Sequence, residues 1–152
     1  MQERILRVIE LAQVEADRDP AFFTVKGPGA GDRATAIFIN ALRHKAKEEF
    51  GSDLAECPVL PGTGVKVDYW MPEEGVIVEV ALSLRHPLSE FERDILKAVI
   101  ARERGLGVSA LVFITKSGGA KRLRSPWFST VIEWAKGQGI EVSVHELESR
   151  AA

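Results

Sequence analysis

The chain has 152 residues, of which 45% are hydrophobic and 28% charged, and its formal net charge is −2. These values exclude a disordered or collagen-like chain and a uniformly basic protein that coats nucleic acid. Cys57 is the single cysteine, so a disulfide scaffold is excluded too. No apolar run reaches the length of a membrane span, and the opening residues do not resemble a signal peptide. We therefore expect one globular domain over residues 1–152, in the cytoplasm and without a membrane partner.

The first third of the chain predicts two helices separated by a glycine-rich loop. The loop covers residues 26–32, and Asp32 is the expected N-cap of a helix over residues 33–50. The loop lacks the spacing of a nucleotide-binding motif, so we interpret it as a turn. The first helix is predicted over residues 3–16, because apolar residues recur there at helical spacing: Ile5, Val8, Ile9 and Ala12.

Three strands are predicted next, over residues 56–60, 65–71 and 76–82. Proline and glycine at residues 61–64 mark the turn between the first two strands. The sequence Pro-Glu-Glu-Gly at residues 72–75 closes a hairpin between the second and third strands.

The second half alternates helices and strands. Ser89 forms a capping box with Glu92 and predicts a helix that runs to about residue 104. A buried strand over residues 108–115 and a half-buried strand over residues 140–147 follow. The element order predicts an α/β fold, in which helices flank a mixed β-sheet.

The last predicted helix lies between these two strands and ends near Gly137. Ser125 is its expected N-cap, and the proline that follows suits the first turn of a helix. Trp127 and Trp134 are seven residues apart on this helix, and we expect both in the core.

The predicted hairpin carries two carboxylates among apolar residues. A loop over residues 72–75 pairs Asp68 with Glu79 and Lys66 with Ala81, and side-chain alternation places all of them on one face. Two close carboxylates repel each other unless they share a proton or a cation, and oxygen ligands favour Mg²⁺ or Mn²⁺. The alternative is that one carboxylate lies at a hydrated end of the sheet and pairs with Lys66 or an arginine.

The segment from Asp68 through ten residues to Glu79-Val-Ala81 resembles the motif of the PD-(D/E)XK nuclease superfamily, which has a restriction-endonuclease-like fold. The resemblance implies an αβββαβ core over residues 33–115. Residues 1–32 would precede this core as a helix and the glycine loop, and residues 116–152 would extend it as a basic loop, a helix and a strand.

The resemblance also implies roles for individual residues. Asp68 and Glu79 would bind Mg²⁺, and Glu49 or Glu48 on the preceding helix would add a ligand. Ala81 occupies the position of the family's lysine, which helps to activate a water molecule. We expect another lysine to replace it: Lys66 because of the hairpin register, or Lys45 because of its place on the helix.

A basic segment completes the set of candidate residues. Clustered cations without acids can contact phosphates irrespective of sequence, although a solvated loop is the alternative interpretation. The sequence thus favours a metal-dependent hydrolase of nucleic-acid phosphodiesters that acts on double-stranded DNA. A catalytically inactive module of the same fold and an unrelated small-molecule binder are the alternatives, and a homodimer is left open. The candidate phosphate contacts are Arg85, Lys116, Lys121, Arg122 and Arg124.

Overall fold

The computed structural model describes four stretches of the chain, residues 2–19, 21–24, 30–82 and 87–150, with the side chains of residues 30–32 and 87–89 outside that description. Two compact units divide the chain. One comprises Met1–Asp53 and Leu147–Ala152, and the other comprises Leu54–Glu146. Along the described residues, no helix combines the length and apolar character that crossing a membrane requires.

The first unit contains three helices, α1 (Glu3–Arg18), α2 (Ala21–Thr24) and α3 (Ala30–Phe50). Both long helices were predicted, whereas the single turn of α2 was not. Arg7 on α1 donates a hydrogen bond to Glu49 on α3 over 2.8 Å, and the rings of Phe22 and Phe38 stack with centroids 4.6 Å apart. These contacts join the three helices.

The expected N-cap of α3 is wrong. The helix begins at Ala30, so Asp32 lies within its first turn and does not precede it. Alanine has the highest helix propensity, which is consistent with a helix that extends beyond the expected cap. Residues 25–29, which include most of the predicted glycine loop, lie outside the described residues.

The second unit is built on a five-stranded mixed sheet with the order β1-β2-β3-β4-β5. Neighbouring strands are antiparallel from β1 to β3 and parallel from β3 to β5. An α/β fold with a mixed sheet and flanking helices is therefore confirmed, and each strand end was predicted to within two residues. The strands are β1 (Ala55–Leu60), β2 (Val65–Met71), β3 (Val76–Ala81), β4 (Ala110–Thr115) and β5 (Glu141–Glu146).

The hairpin between β2 and β3 has the predicted register. The paired residues are Tyr69 with Val78, Trp70 with Ile77 and Met71 with Val76. Because side chains alternate along a strand, this register places Asp68 and Glu79 on the face that carries Trp70 and Ile77.

The remaining helices of this unit are α4 (Pro87–Glu103), α5 (Gly119–Leu123) and α6 (Pro126–Gly137). The first and last of them pack on the same face of the sheet, where Phe91 of α4 contacts Phe113 of β4 and Phe128 of α6. The ring centroids are 4.8 and 5.7 Å apart, respectively, with edge-to-face geometry. All three rings are fully buried, so this aromatic cluster fixes where α4 crosses the sheet.

Two details of helix capping differ from the predictions. The first turn of α4 begins at Pro87, so Ser89 lies inside the helix and is not its N-cap. Proline suits a first turn because the amide hydrogen that it lacks has no partner there. Ser125 does precede α6, as predicted, but its hydroxyl makes no capping hydrogen bond.

The prediction that Trp127 and Trp134 lie in the core is wrong, since they are 58% and 45% exposed. The buried positions of α6 are Phe128 and Ala135, each one residue further along the helix. The predicted spacing of seven residues between buried positions was correct, but the prediction chose the wrong side of the helix as the one that faces the sheet.

The basic segment contains a short helix where a loop was predicted. Leu123 of α5 is buried, and a carboxylate oxygen of Glu146 accepts hydrogen bonds from the backbone amides of Gly118 and Ala120. A buried leucine and a partner for these amides stabilise a helical turn. The side chains of Lys121, Arg122 and Arg124 remain exposed around it.

Gly119 allows α5 to pack closely against β4, and this contact can be tested. A Cβ atom at Gly119 would overlap the side chain of the fully buried Thr115, whereas a Cβ atom at Gly107 would meet nothing within 4 Å. We expect Gly119→Ala to lower the free energy of unfolding by about 1–3 kcal/mol.

Urea unfolding of both alanine variants measures this difference. The control, Gly107→Ala, should stay within about 0.5 kcal/mol of the wild type. Equal stability of the two variants would show that α5 does not depend on this close approach.

Candidate active site

The candidate site lies where β2 and β3 stop pairing as regular strands. Beyond the pair of Tyr69 and Val78, side chains replace the backbone ladder. The amide of Asp68 donates to Oε2 of Glu79 over 3.3 Å, and the amide of Val80 donates to Oδ2 of Asp68 over 2.7 Å. The two carboxylates are therefore held between the strands by backbone donors.

Both carboxylates are removed from water. Glu79 is 4% exposed and Asp68 is half-buried, and a hydrogen bond links the two side chains. Burial, followed by the nearby charges of Asp68 and Asp94, raises the pKa of Glu79 from 4.5 to about 9. At neutral pH, the pair therefore retains a proton that the two carboxyl groups share.

The pKa of Asp68 is raised as well, first of all by burial. The hydrogen bonds from Val80 and Glu79 oppose this rise, because they stabilise the charged form. Proton sharing and the two backbone amides are the means by which close carboxylates coexist in this place.

Glu56 adds negative charge on the other side of Asp68. It lies between Ala55 and Cys57, which pair with Tyr69 and Val67 of β2, and is therefore opposite Asp68. Its φ of 52° is in the left-handed region, which residues other than glycine and asparagine rarely adopt. The charge of Glu56 contributes to the raised pKa of Asp68.

Lys97 of α4 is the cation of the site. Its Nζ lies 2.8 Å from Oε1 of Glu79, 2.8 Å from Oδ1 of Asp94 and 3.1 Å from the carbonyl oxygen of Lys66. The side chain is 14% exposed. Burial lowers the pKa of Lys97, but the charges and hydrogen bonds of Glu79 and Asp94 outweigh this effect, so that the pKa is raised. Lys97 is therefore charged, with hydrogen bonds to Glu79 and the carbonyl of Lys66 and an ion pair with Asp94.

The local balance of charge is negative. The ammonium group of Lys97 contacts the carboxyl groups of Glu79 and Asp94, and Asp68 adjoins Glu79. One ammonium cannot neutralise three carboxylates, and the proton that Asp68 and Glu79 share removes only part of the excess. A second cation would therefore be favoured where Asp68 and Glu79 meet.

The donor set fits a hard divalent cation. Carboxylate oxygens are the ligands that Mg²⁺ and Mn²⁺ prefer, and Mg²⁺ often uses one or two protein carboxylates and keeps several water molecules. Across the part of the chain that the structure describes, no group of three or more histidine, cysteine, aspartate or glutamate side chains is arranged so that it could hold a metal ion. Asp68 and Glu79 would thus supply only part of the coordination shell.

The other predicted ligands and Lys45 belong to α3 in the first unit. Glu49 forms an ion pair with Arg7, and Lys45 lies 3.5 Å from Glu48. Their roles at the carboxylate pair stay predictions.

Lys66 is exposed, and the paired register of the described strands β2 and β3 ends before Lys66 and Ala81 are reached. Lys66 pairs with Pro58 of β1, and its carbonyl oxygen contacts Lys97. Arg85 lies outside the described residues, and the side chain of Lys116 is half-buried.

Sequence reasoning missed Lys97 and Asp94. The available signal was a charged pair three residues apart on the helix that follows β3, next to the buried Ile95 and Ala98. Such pairs also occur on solvated helix faces, so the signal becomes specific only when the position of α4 over Glu79 is known.

No protein-family model, curated protein or solved structure matches this chain. The residues of the site are thus the basis for any proposal about its function.

The raised pKa of Glu79 predicts how stability depends on pH. The folded state keeps a proton that the unfolded chain releases above a pKa of 4.5. The unfolded state therefore binds fewer protons between pH 5 and pH 9, so the free energy of unfolding falls as the pH rises through this range. We expect Glu79→Gln to reduce this fall markedly.

Urea unfolding at a series of pH values measures the slope. Glu133 is exposed on α6, so Glu133→Gln should retain the wild-type slope. If Glu79→Gln also retains it, Glu79 does not hold the proton.

Proposed function

We propose that this protein is a metal-dependent hydrolase of nucleic-acid phosphodiester bonds. The observation that carries the proposal is the contact between the half-buried Asp68 and the buried Glu79, two carboxyl groups on neighbouring strands with an excess of negative charge. The chain order α3-β1-β2-β3-α4-β4 supports it, because it is the αβββαβ order that the PD-(D/E)XK resemblance implies.

Asp68 and Glu79 are the residues that would hold the divalent ion. When bound, such an ion supplies electrostatic stabilisation of the charge that develops on a transferring phosphoryl group. The two backbone amides that hold the carboxylates keep their oxygens in place between β2 and β3. The carboxylate oxygens would thus be restrained before a cation arrives.

Lys97 is the residue that we propose in place of the family's lysine. Ala81 is buried and has neither charge nor a hydrogen-bonding group, whereas Lys97 brings an ammonium to within 2.8 Å of Glu79 from the adjacent helix. Its longest contact is to the neutral carbonyl of Lys66. A phosphate oxygen would replace this contact favourably, because hydrogen bonds between charged groups are stronger.

Asp94 is a positioning residue in this arrangement. It holds Lys97 from the preceding turn of α4 at 2.8 Å, so the ammonium keeps its place even if Glu79 turns towards a cation. The charge of Lys97 would then offset the negative charge of the substrate.

A catalytically inactive module with the same fold is the second candidate. It is favoured by Ala81 at the lysine position and by the contacts that Lys97 already makes with Glu79, Asp94 and the carbonyl of Lys66. In that case, the cluster would stabilise the sheet and would not promote hydrolysis. Cleavage assays separate the two functions.

Metal binding should appear first as a change in stability. At a Mn²⁺ concentration 100 times its Kd, the free energy of unfolding should rise by about 2.7 kcal/mol, because the ion binds the folded state alone. We expect Asp68→Asn to abolish this rise and Glu133→Gln to preserve it. Thermal melts with and without Mn²⁺ provide the measurement, and a rise that persists in Asp68→Asn removes Asp68 from the ligands.

The two candidate lysines can be compared directly in a cleavage assay with Mg²⁺ or Mn²⁺. We expect Lys97→Met to lower the rate by about 10²-fold or more, the loss typical of one electrostatic donor, and Lys66→Met to leave it near the wild-type rate. The reverse result would assign the role to Lys66.

Stability controls are needed because Lys97→Met leaves two buried carboxylates without their partner, which can cost about 3–5 kcal/mol. Lys97→Arg keeps the charge and should retain the fold with part of the activity. If the wild type cleaves nothing with either metal while Ala81→Lys cleaves, the inactive module is the correct function.

A further inference from the structure

A second group of residues lies at the same end of the sheet as the carboxylates. The parallel strands β3, β4 and β5 end at one edge, and Glu79 pairs with Phe113 only two residues before the end of β4. The chain leaves β4 at this edge, forms α5 and begins α6. Residues 116–127 therefore lie at the carboxyl ends of the strands, towards which Glu79 is also placed.

Trp127, at the start of α6, presents an indole ring to solvent at this edge. The residue is 58% exposed, and its Nε1 donates a hydrogen bond to Oε1 of Glu92 over 2.6 Å. This bond restricts the ring, while more than half of the residue's surface remains accessible. A restrained and exposed indole loses little conformational entropy when a flat ligand stacks on it.

Exposed basic residues precede Trp127 in the sequence. Lys121 and Arg124 are exposed, and they precede Trp127 by six and three residues. The segment from Lys116 to Arg124 contains no acidic residue. The carboxylate in contact with the indole is that of Glu92 on α4. Exposed cations and an exposed aromatic ring within seven residues of the chain are the residue types that bind the phosphates and bases of a single strand.

We propose that Trp127, Lys121 and Arg124 bind a single-stranded segment of nucleic acid, with the indole stacked on an unpaired base and the cations on the flanking phosphates. An unpaired base is required, because bases inside a duplex are stacked on one another and cannot offer a face to an indole. The link between this site and cleavage rests on the proposed function. The binding itself does not, and it makes single-stranded nucleic acid the substrate class in place of duplex DNA.

Trp134 provides a matched control on the same helix. It is also an exposed tryptophan, at 45%, but it lies seven residues further along α6, which is about 10 Å along the helix axis from Trp127. Lys136 is its exposed basic neighbour on that part of the helix. A general preference of bases for any exposed indole would affect both tryptophans equally.

The experiment measures binding of a single-stranded oligonucleotide to the full chain in EDTA, by fluorescence anisotropy of the labelled strand. We expect Trp127→Leu to raise the Kd by about 5- to 150-fold, the range that corresponds to stacking one base. Trp127→Phe should keep most of the affinity, because phenylalanine also stacks. Trp134→Leu should bind like the wild type, and a duplex of the same sequence should show no dependence on Trp127.

The cations are tested by salt dependence. For single strands, each neutralised phosphate contributes about 0.7 to the slope of log K against log salt concentration. The double variant Lys121→Gln with Arg124→Gln should therefore lower this slope by about 1.4, with an unchanged melting temperature.

The outcomes separate this inference from the proposed function. Equal affinity of Trp127→Leu and the wild type overturns the inference, even if the protein cleaves DNA, and leaves a protein partner as the occupant of this surface. Binding that depends on Trp127 without any cleavage supports the inference and removes the proposed activity. Loss of binding in Trp134→Leu to the same extent as in Trp127→Leu also overturns it, since the site would not be localised at the edge.

Discussion

Lys97 is the cation beside a cluster of three carboxyl groups, those of Asp68, Glu79 and Asp94. The packing of α4 on the sheet holds its ammonium group in place. The aromatic contacts of Phe91 with β4 and α6 determine the position of the helix, and the position of the helix determines the reach of the lysine. Repulsion among buried carboxylates would otherwise favour opening of β2 from β3. The electrostatics of the site thus depend on hydrophobic packing one turn and a half away on the same helix.

This arrangement explains why a buried acidic pair can persist in the core of a small protein. Burying an unpaired carboxylate costs several kcal/mol, and hydrogen bonds to the charged form are needed to offset that cost. Here two backbone amides, one shared proton and one ammonium group together stabilise the carboxylates. Each partner satisfies part of this demand, and the remaining negative charge is the reason for proposing a cation there.

Much of the fold could be predicted from local patterns. The period of two along β2 and β3, together with the four residues between them, was sufficient for the hairpin register, because a turn of known length leaves few ways to align two strands. Helix starts were less accurate, since Ser89 and Asp32 resemble caps but lie inside α4 and α3. For Trp127 and Trp134, periodicity predicted the spacing of the buried face but not its phase.

The residues of the site likewise differ in how far the sequence could predict them. Asp68 and Glu79 come together through a short-range turn, and so the sequence was enough to pair them. Lys97 reaches Glu79 only through the crossover of α4 between two parallel strands, a tertiary arrangement that local spacing does not encode. The sequence alone does not distinguish Lys97 from the other lysines of the chain. Its role becomes evident only when the position of α4 over Glu79 is known.

The replacement of backbone pairing by side chains between β2 and β3 has a consequence for the dynamics of the sheet. The amides of Asp68 and Val80 are bound to carboxylates, whereas those of the regular ladder are bound to carbonyl oxygens, which do not titrate in this range. Hydrogen exchange at these two amides should therefore change with the protonation of the pair. The pairing of β2 with β3 at this point depends on pH, and so does the ease with which the two strands separate there.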